Sequence, residues 1–323
     1  MRRGASALAA IGALLALTLQ ATPASADSGG SAPSRDVPRA AQANAADHWS
    51  AERMRAATPV EELLDLGARA TDRAAQEVRR GAELKVPPQA PENGAMALPE
   101  PGGPWSGGGD VVQTSGRVFF KFNGKDSSCS GNSVTSDNGS TVITAGHCVK
   151  YQGSWHTDWV FVPGYHDGEA PHGKWTAAKT LTTPQWEASE DMNFDVGAAV
   201  VNPLDGKKLA DVVGSQGLSF NADYNTTMYS FGFPAADPYD GEKLIYCSGT
   251  SFQDVLLTKD HGLSCNMTGG SSGGPWFTEF DEATGTGLQS SVNSFGYVFL
   301  PDTMFGPYFG AEAQALYESA QAG

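Results

Sequence analysis

Thr141-Val142-Ile143-Thr144-Ala145-Gly146-His147-Cys148 is a run of β-branched residues that ends, after Ala-Gly, on an imidazole and a thiol. β-branched side chains suit a pleated, half-buried surface, so the run reads as a strand with His147 at its end. The sequence around it has the same texture. From Val111 onward, Val118-Phe119-Phe120, Val196 to Val201, Met228 to Phe231 and Ser291 to Phe299 read as further short strands, separated by Gly, Asn, Asp and Pro. Many short strands at modest spacing indicate an all-β sandwich or barrel. Helix returns only in Ala311 to Ala320.

The chain has six histidines. A lone histidine is more often structural than catalytic, and His48, His156, His166, His172 and His261 lie in polar, loop-like sequence. His147 is set apart by Cys148, which would tether the loop to Cys129 and fix the imidazole. Four cysteines, Cys129, Cys148, Cys247 and Cys265, permit three pairings. The two local ones, Cys129–Cys148 and Cys247–Cys265, are favoured. Each closes a loop worth roughly 3 kcal/mol in the chain-entropy account. No Cys-x-x-Cys or His-x-x-x-His spacing supports zinc as the alternative.

Two further segments supply what acyl transfer at a serine needs, namely a hydroxyl, a base, a carboxylate to orient the base and donors for the oxyanion. In Thr268-Gly269-Gly270-Ser271-Ser272-Gly273-Gly274-Pro275 the glycines let the backbone turn tightly beside a bound chain. The amides of Gly270 and Ser272 would then face one pocket. A Gly-Ser run can be a linker, but this one lies between Cys265 and Trp276 in strand-like sequence. In Asn193-Phe194-Asp195-Val196-Gly197-Ala198-Ala199-Val200 an acid heads an apolar strand. Asp195 is the candidate carboxylate and Asp191 the fallback. The order His147, Asp195, Ser272 is one of the known triad orders. Gly270-Ser271-Ser272-Gly273-Gly274 also meets the Gly-x-Ser-x-Gly elbow, but α/β-hydrolases run in the opposite order, from Ser to His.

The three segments resemble the signatures of the chymotrypsin family. Val162-Pro163-Gly164-Tyr165 and Pro171-His172-Gly173-Lys174-Trp175 resemble its bacterial, glutamyl-endopeptidase-like branch. The resemblance covers roughly residues 112–320. It implies an all-β fold of two six-stranded antiparallel barrels with a short C-terminal helix and the site between them. It implies a serine endopeptidase acting on protein or peptide substrates through an acyl-enzyme, as a monomer, with no cofactor and no metal. Ser294-Phe295-Gly296 resembles the strand that pairs with bound peptide, and Gly306-Pro307-Tyr308 the stretch behind the specificity pocket. By position Asn266 would form the pocket base, with Gly296 and Gly306 leaving the walls open. A base without Asp or Glu disfavours a buried Lys or Arg. Ser271 stands where the family usually has the Asp that pairs with a new N-terminus, so that switch is not expected here. Asn293, Ser294 and Met267 stand where glutamate-specific relatives carry His and Thr.

The rest of the chain reads as packaging. Met1-Arg2-Arg3, an apolar stretch from Leu8 to Leu19 and Ala24-Ser25-Ala26 form a secretory signal over residues 1–26. The apolar stretch is too short to cross a bilayer, which takes about 20 residues. Residues 27–105 read as a pro-region. Within it Thr58-Pro59-Val60-Glu61 is a capping box that predicts a helix over 59–80, ended by Gly81. Residues 84–109 form a Pro/Gly-rich linker by composition. The peptidase domain would then span 106–323. Only 12 of the 36 acidic residues but 11 of the 21 basic ones precede residue 106, so the domain carries nearly all of the net charge of −15. Such a surface disfavours nucleic acid and anionic membrane as partners and suits a secreted, extracellular protein.

Overall fold

The computed structural model describes Met1 and residues 31–63, 78–88 and 100–323. The chain divides into Met1–Gly30 and Ser31–Gly323, and the architecture below is that of the second unit. The proposed signal and most of the expected helix over 59–80 lie outside the described residues. No helix among the described residues is long and apolar enough to cross a membrane.

Six antiparallel strands close a barrel in the first half. Around it run Ser115–Phe122, Lys125–Val134, Thr141–Thr144, Gly197–Val201, Trp175–Thr182 and Thr157–Pro163, the last pairing back on the first. Alternation of side chains along a strand explains its core. Val118, Phe120 and Phe122 point inward to meet Val142, Ile143, Phe161, Trp175 and Ala199. Phe119, between them, faces the other way and is nevertheless fully buried.

The strands of the second half lie in two sheets. One has seven strands, in the order Leu84–Val86, Gly217–Phe220, Thr286–Val292, Pro275–Asp281, Thr227–Gly232, Ile245–Thr250 and Glu100–Pro104. The other joins Phe252–Gln253, His261–Ser264 and Thr303–Gly306. The Cys247–Cys265 disulfide staples the two sheets, and a Phe295–Phe305 bridge extends the smaller one. Cys129–Cys148 ties a barrel strand to the turn that carries His147. Ala311–Gln321 is the C-terminal helix, and its Leu316, Tyr317 and Ala320 reach the core of the first barrel.

Three expectations need correction. The segment expected to open a helix at Pro59 pairs instead as a strand, Thr58–Pro59, alongside Ser127–Ser128, followed by a single 3₁₀ turn, Val60–Leu63. Parallel backbone pairing there outweighs the local capping signal. Part of the expected linker is also strand, since Leu84–Val86 and Glu100–Pro104 cover the two edges of the seven-stranded sheet. The run Ser291 to Phe299 leaves the sheet at Val292, and beyond it only Phe295 makes a bridge.

The N-terminal region therefore touches both halves. Ser34–Asp36 adds a strand to Trp175–Thr182, and two helices, Arg39–His48 and Ala51–Ala56, lie over the outside of the barrel. Ser50 caps the second helix by accepting a hydrogen bond from the Arg53 amide. Ala45, Trp49, Met54 and Ala57 pack there on Phe119, Val160, Val162 and Tyr165, which explains the burial of Phe119. Trp49 is fully buried, packs with its ring tilted against Phe119 at 5.3 Å between centroids, and donates from Nε1 to the Asp158 carbonyl at 2.6 Å. Trp49→Ala should therefore cost roughly 3–5 kcal/mol of docking, the usual range for truncating a large buried aromatic. Limited proteolysis of the full chain checks this: cleavage within residues 39–56 should be much faster in the variant, and an unchanged rate would contradict the packing.

Candidate active site

The strands Thr141–Thr144 and Gly197–Val201 pair directly, with Gly197 opposite Thr144. The turn after the first and the turn before the second are thereby brought side by side. Gly146–Cys148 is a 3₁₀ turn carrying His147, and Met192–Phe194 is another that delivers Asp195. Close approach explains Gly146, where a Cβ would come within 2.9 Å of the Trp186 ring and 3.0 Å of Asp195 Oδ1. Trp186 is itself fixed, donating from Nε1 to the Lys150 carbonyl at 2.8 Å.

Asp195 is fully buried and accepts three hydrogen bonds. The His147 amide donates to Oδ1 at 2.8 Å, while His147 Nδ1 and Ser294 Oγ donate to Oδ2 at 2.7 and 2.6 Å. Burial alone would lower the His147 pKa. The charge and hydrogen bond of Asp195, with a further contribution from Glu61, outweigh burial and raise it above its ordinary value. Behind the ring, His156 Nε2 donates to the His147 carbonyl at 2.8 Å and stacks on Phe120 at 4.3 Å. Burial lowers the His156 pKa to about 3, so this ring is a neutral prop. Asp191, the fallback carboxylate, serves its own turn by accepting from the Asn193 amide and side chain.

Ser272 is supplied by the second half, on the turn just before the strand Pro275–Asp281. Gly270 and Gly273, at φ +95° and +80°, hold left-handed conformations that the flanking backbone requires, and a Cβ on Gly273 would collide with Thr144 Oγ1. The Ser130 amide donates to the Ser272 carbonyl at 2.7 Å and Ser130 Oγ to the Gly270 carbonyl at 2.9 Å, so the first barrel clamps the turn from behind. Ser271 turns inward, its hydroxyl donating to the Thr268 carbonyl at 2.8 Å. Ser272 Oγ lies 3.5 Å from the Ser294 carbonyl, and His147 Nε2 has no hydrogen-bond partner among the described residues. The Gly270 amide donates at 2.8 Å to a group from far away in the chain, Glu61 Oε2.

A cleft of about 400 Å³ opens beside these groups, lined among others by Glu61, Asn266, Met267, Ser272, Ser294, Phe295 and Gly296. Asn266 Oδ1 is engaged by the Tyr239 hydroxyl at 2.6 Å, and the Asn266 amide donates to the Pro101 carbonyl at 2.8 Å. Gly306 is not brought to the cleft. It lies in a strand against the Val292 carbonyl, where a Cβ would collide. Sequence reasoning missed three things here. The bond from Ser294 to Asp195 has no local signal, because the two are 99 residues apart. His156 and His261, read as loop histidines, are both buried. Glu61 was read only as part of a helix start.

Comparison with known proteins bears on the fold and the family. No protein-family model matches the sequence. The protease Anisep from Arthrobacter nicotinovorans is 47% identical, with a TM-score of 0.63, over 66% of this chain and 98% of its own. The thermostable serine protease AL20 from an extremophilic microorganism is 40% identical, with a TM-score of 0.62, over 66% of this chain and 99% of its own. A Glu endopeptidase shares the fold at 17% identity and a TM-score of 0.55, over 69% of this chain and 97% of its own. A curated relative, the extracellular metalloprotease of Bacillus subtilis (strain 168), is 26% identical over 162 residues, 48% of this chain. The match spans 49% of that relative's length. The metal in that name does not fit the described residues. The one group of metal-ligating side chains that converges among the described residues is Cys129, His147 and Cys148. Both of its sulfurs are joined in a disulfide and His147 Nδ1 is held by Asp195. The chain belongs to the family of bacterial serine proteases that includes Anisep and AL20 and has the chymotrypsin-like fold.

Proposed function

We propose that the protein is a secreted serine endopeptidase in which His147, Asp195 and Ser272 form the catalytic triad. The observation that carries this reading is the buried Asp195 carboxylate, which grips His147 at both its amide and Nδ1 beside a serine on a tight glycine turn. Gripped in this way, the imidazole keeps its proton on Nδ1 and presents Nε2 as base. Ser272 Oγ attacks the scissile carbonyl while His147 Nε2 takes its proton. The amides of Gly270 and Ser272 bind the oxyanion, each such donor being worth roughly 3 kcal/mol in the transition state. His147 then protonates the leaving amine, and water repeats the cycle on the acyl-enzyme. Removal of residues 27 to about 105 precedes activity. Trp105 packs edge-on against Phe231, Tyr246 and Phe280, and its amide bonds the Leu244 carbonyl. These contacts favour keeping Trp105 in the mature enzyme, and so support a new N-terminus at or before it.

Four outcomes test the reading. Ser272→Ala should abolish both peptide hydrolysis and labelling by a fluorophosphonate, mapped by mass spectrometry; retained activity would refute it. Asp195→Asn should lower kcat on the order of ten-thousandfold, because the imidazole is left in the wrong tautomer, whereas Asp191→Asn should cost little. The pH profile follows from the sign of the His147 shift. A base raised above its ordinary value is protonated and idle at low pH, so kcat/KM should climb as pH rises through a pKa above 6.5. A profile already flat from pH 5 upward would contradict the coupling to Asp195. Sequencing the secreted active species should find a start between about Pro101 and Trp105, and a start at Asp27 in fully active enzyme would refute the processing.

A further inference from the structure

We propose that Glu61 keeps the uncleaved chain inactive by seating its carboxylate on the Gly270 amide, in the place of the oxyanion. The proposal rests on the reading of Gly270 as an oxyanion donor given above. Glu61 is held there from both sides. Before it, Thr58–Pro59 is paired with Ser127–Ser128 of the barrel. Pro59 is buried close to Gly269, where a Cβ would meet it at 3.2 Å. Val60 is fully buried in the barrel core, and Leu63 packs against the same core from the far end of the turn. The turn Val60–Leu63 thus directs one of two neighbouring acids inward. Glu61 lines the cleft with Ser272 and Ser294 and bonds Gly270, while Glu62 is exposed.

The chemistry of this contact is inhibitory rather than substrate-like. A substrate would offer the Gly270 amide a scissile carbonyl oxygen that gains charge only in the transition state. Glu61 offers a full carboxylate, a stronger acceptor than any neutral carbonyl, with no leaving group attached. Glu61 Oε1 has no hydrogen-bond partner and is shielded from solvent, so the carboxylate holds its place through the Gly270 amide. An incoming peptide must displace it before its own carbonyl can be polarised. The Glu61 charge also favours protonated His147, which cannot act as a base. Both effects end when the segment containing residues 58–63 is removed. Inhibition and maturation are thereby coupled through one side chain.

Fluorophosphonate labelling of Ser272 tests this, read by mass spectrometry only on intact, uncleaved chain. The processed species isolated from the medium serves as the fast reference. Wild-type full chain should label slowly. Glu61→Ala should label roughly tenfold faster or more, as expected for losing a charge-assisted hydrogen bond, and Glu62→Ala should match wild type. Glu61→Gln keeps the shape but offers a weaker acceptor, so it should fall between wild type and alanine. It decides the matter if alanine undocks the leader, as judged by cleavage within residues 39–56. Equal rates for wild type and Glu61→Gln, with a fast processed reference, would overturn the proposal. A processed species that does not label at Ser272 would instead remove the peptidase reading on which the proposal stands.

Discussion

The structure depends on one buried charge. Asp195 is removed from water, a placement that is costly unless its oxygens are satisfied. They are satisfied by three donors from two distant parts of the chain, the amide and ring of His147 and the hydroxyl of Ser294. Two of these come from the first barrel and the third from the segment that has just left the seven-stranded sheet. The carboxylate is therefore also a bolt between the halves. Ser130 supplies a second bolt through its bonds to the carbonyls of Ser272 and Gly270. Together the two contacts hold the serine turn against the histidine turn.

Much of this was legible in the sequence because it is encoded locally. A β-branched run ending at Gly146-His147-Cys148, an acid at the head of an apolar strand and a serine between glycines each carry their meaning within a few residues. The disulfides agree with the local pairing favoured by spacing. What escaped the sequence depends on partners far along the chain. Ser294 reads as a polar residue near a strand end, and nothing near it specifies Asp195. His156 lies among polar neighbours in sequence yet is buried against Phe120 in space. Pro59 carries a strong helix-start signal, but Ser127–Ser128 offers its segment backbone pairing and the barrel core takes Val60.

The N-terminal region shows how composition misleads. Pro101 and Pro104 mark a linker by any compositional rule, yet the segment Glu100–Pro104 pairs along the edge of Ile245–Thr250. An edge position uses only one side of a strand's hydrogen-bonding groups, so prolines are tolerated there. Leu84–Val86 closes the opposite edge, and Ser34–Asp36 and Thr58–Pro59 add to the first barrel. Among the described residues of the leader, four short strands and two small helices make a distributed clamp rather than a separate body. It covers Phe119, caps two sheet edges and brings Glu61 to the lining of the cleft. Such a leader can hold the two halves together while the site between them stays shut.

The most direct test of the account is the titration of His147 itself, followed by NMR in isotope-labelled full chain carrying Ser272→Ala to prevent self-cleavage. With Asp195 intact the imidazole should titrate above its ordinary value, because the carboxylate outweighs burial. With Asp195→Asn added, burial is left largely unopposed and the pKa should fall below that value. An imidazole whose titration is the same with Asp195 as with Asn at that position would contradict the account at its centre.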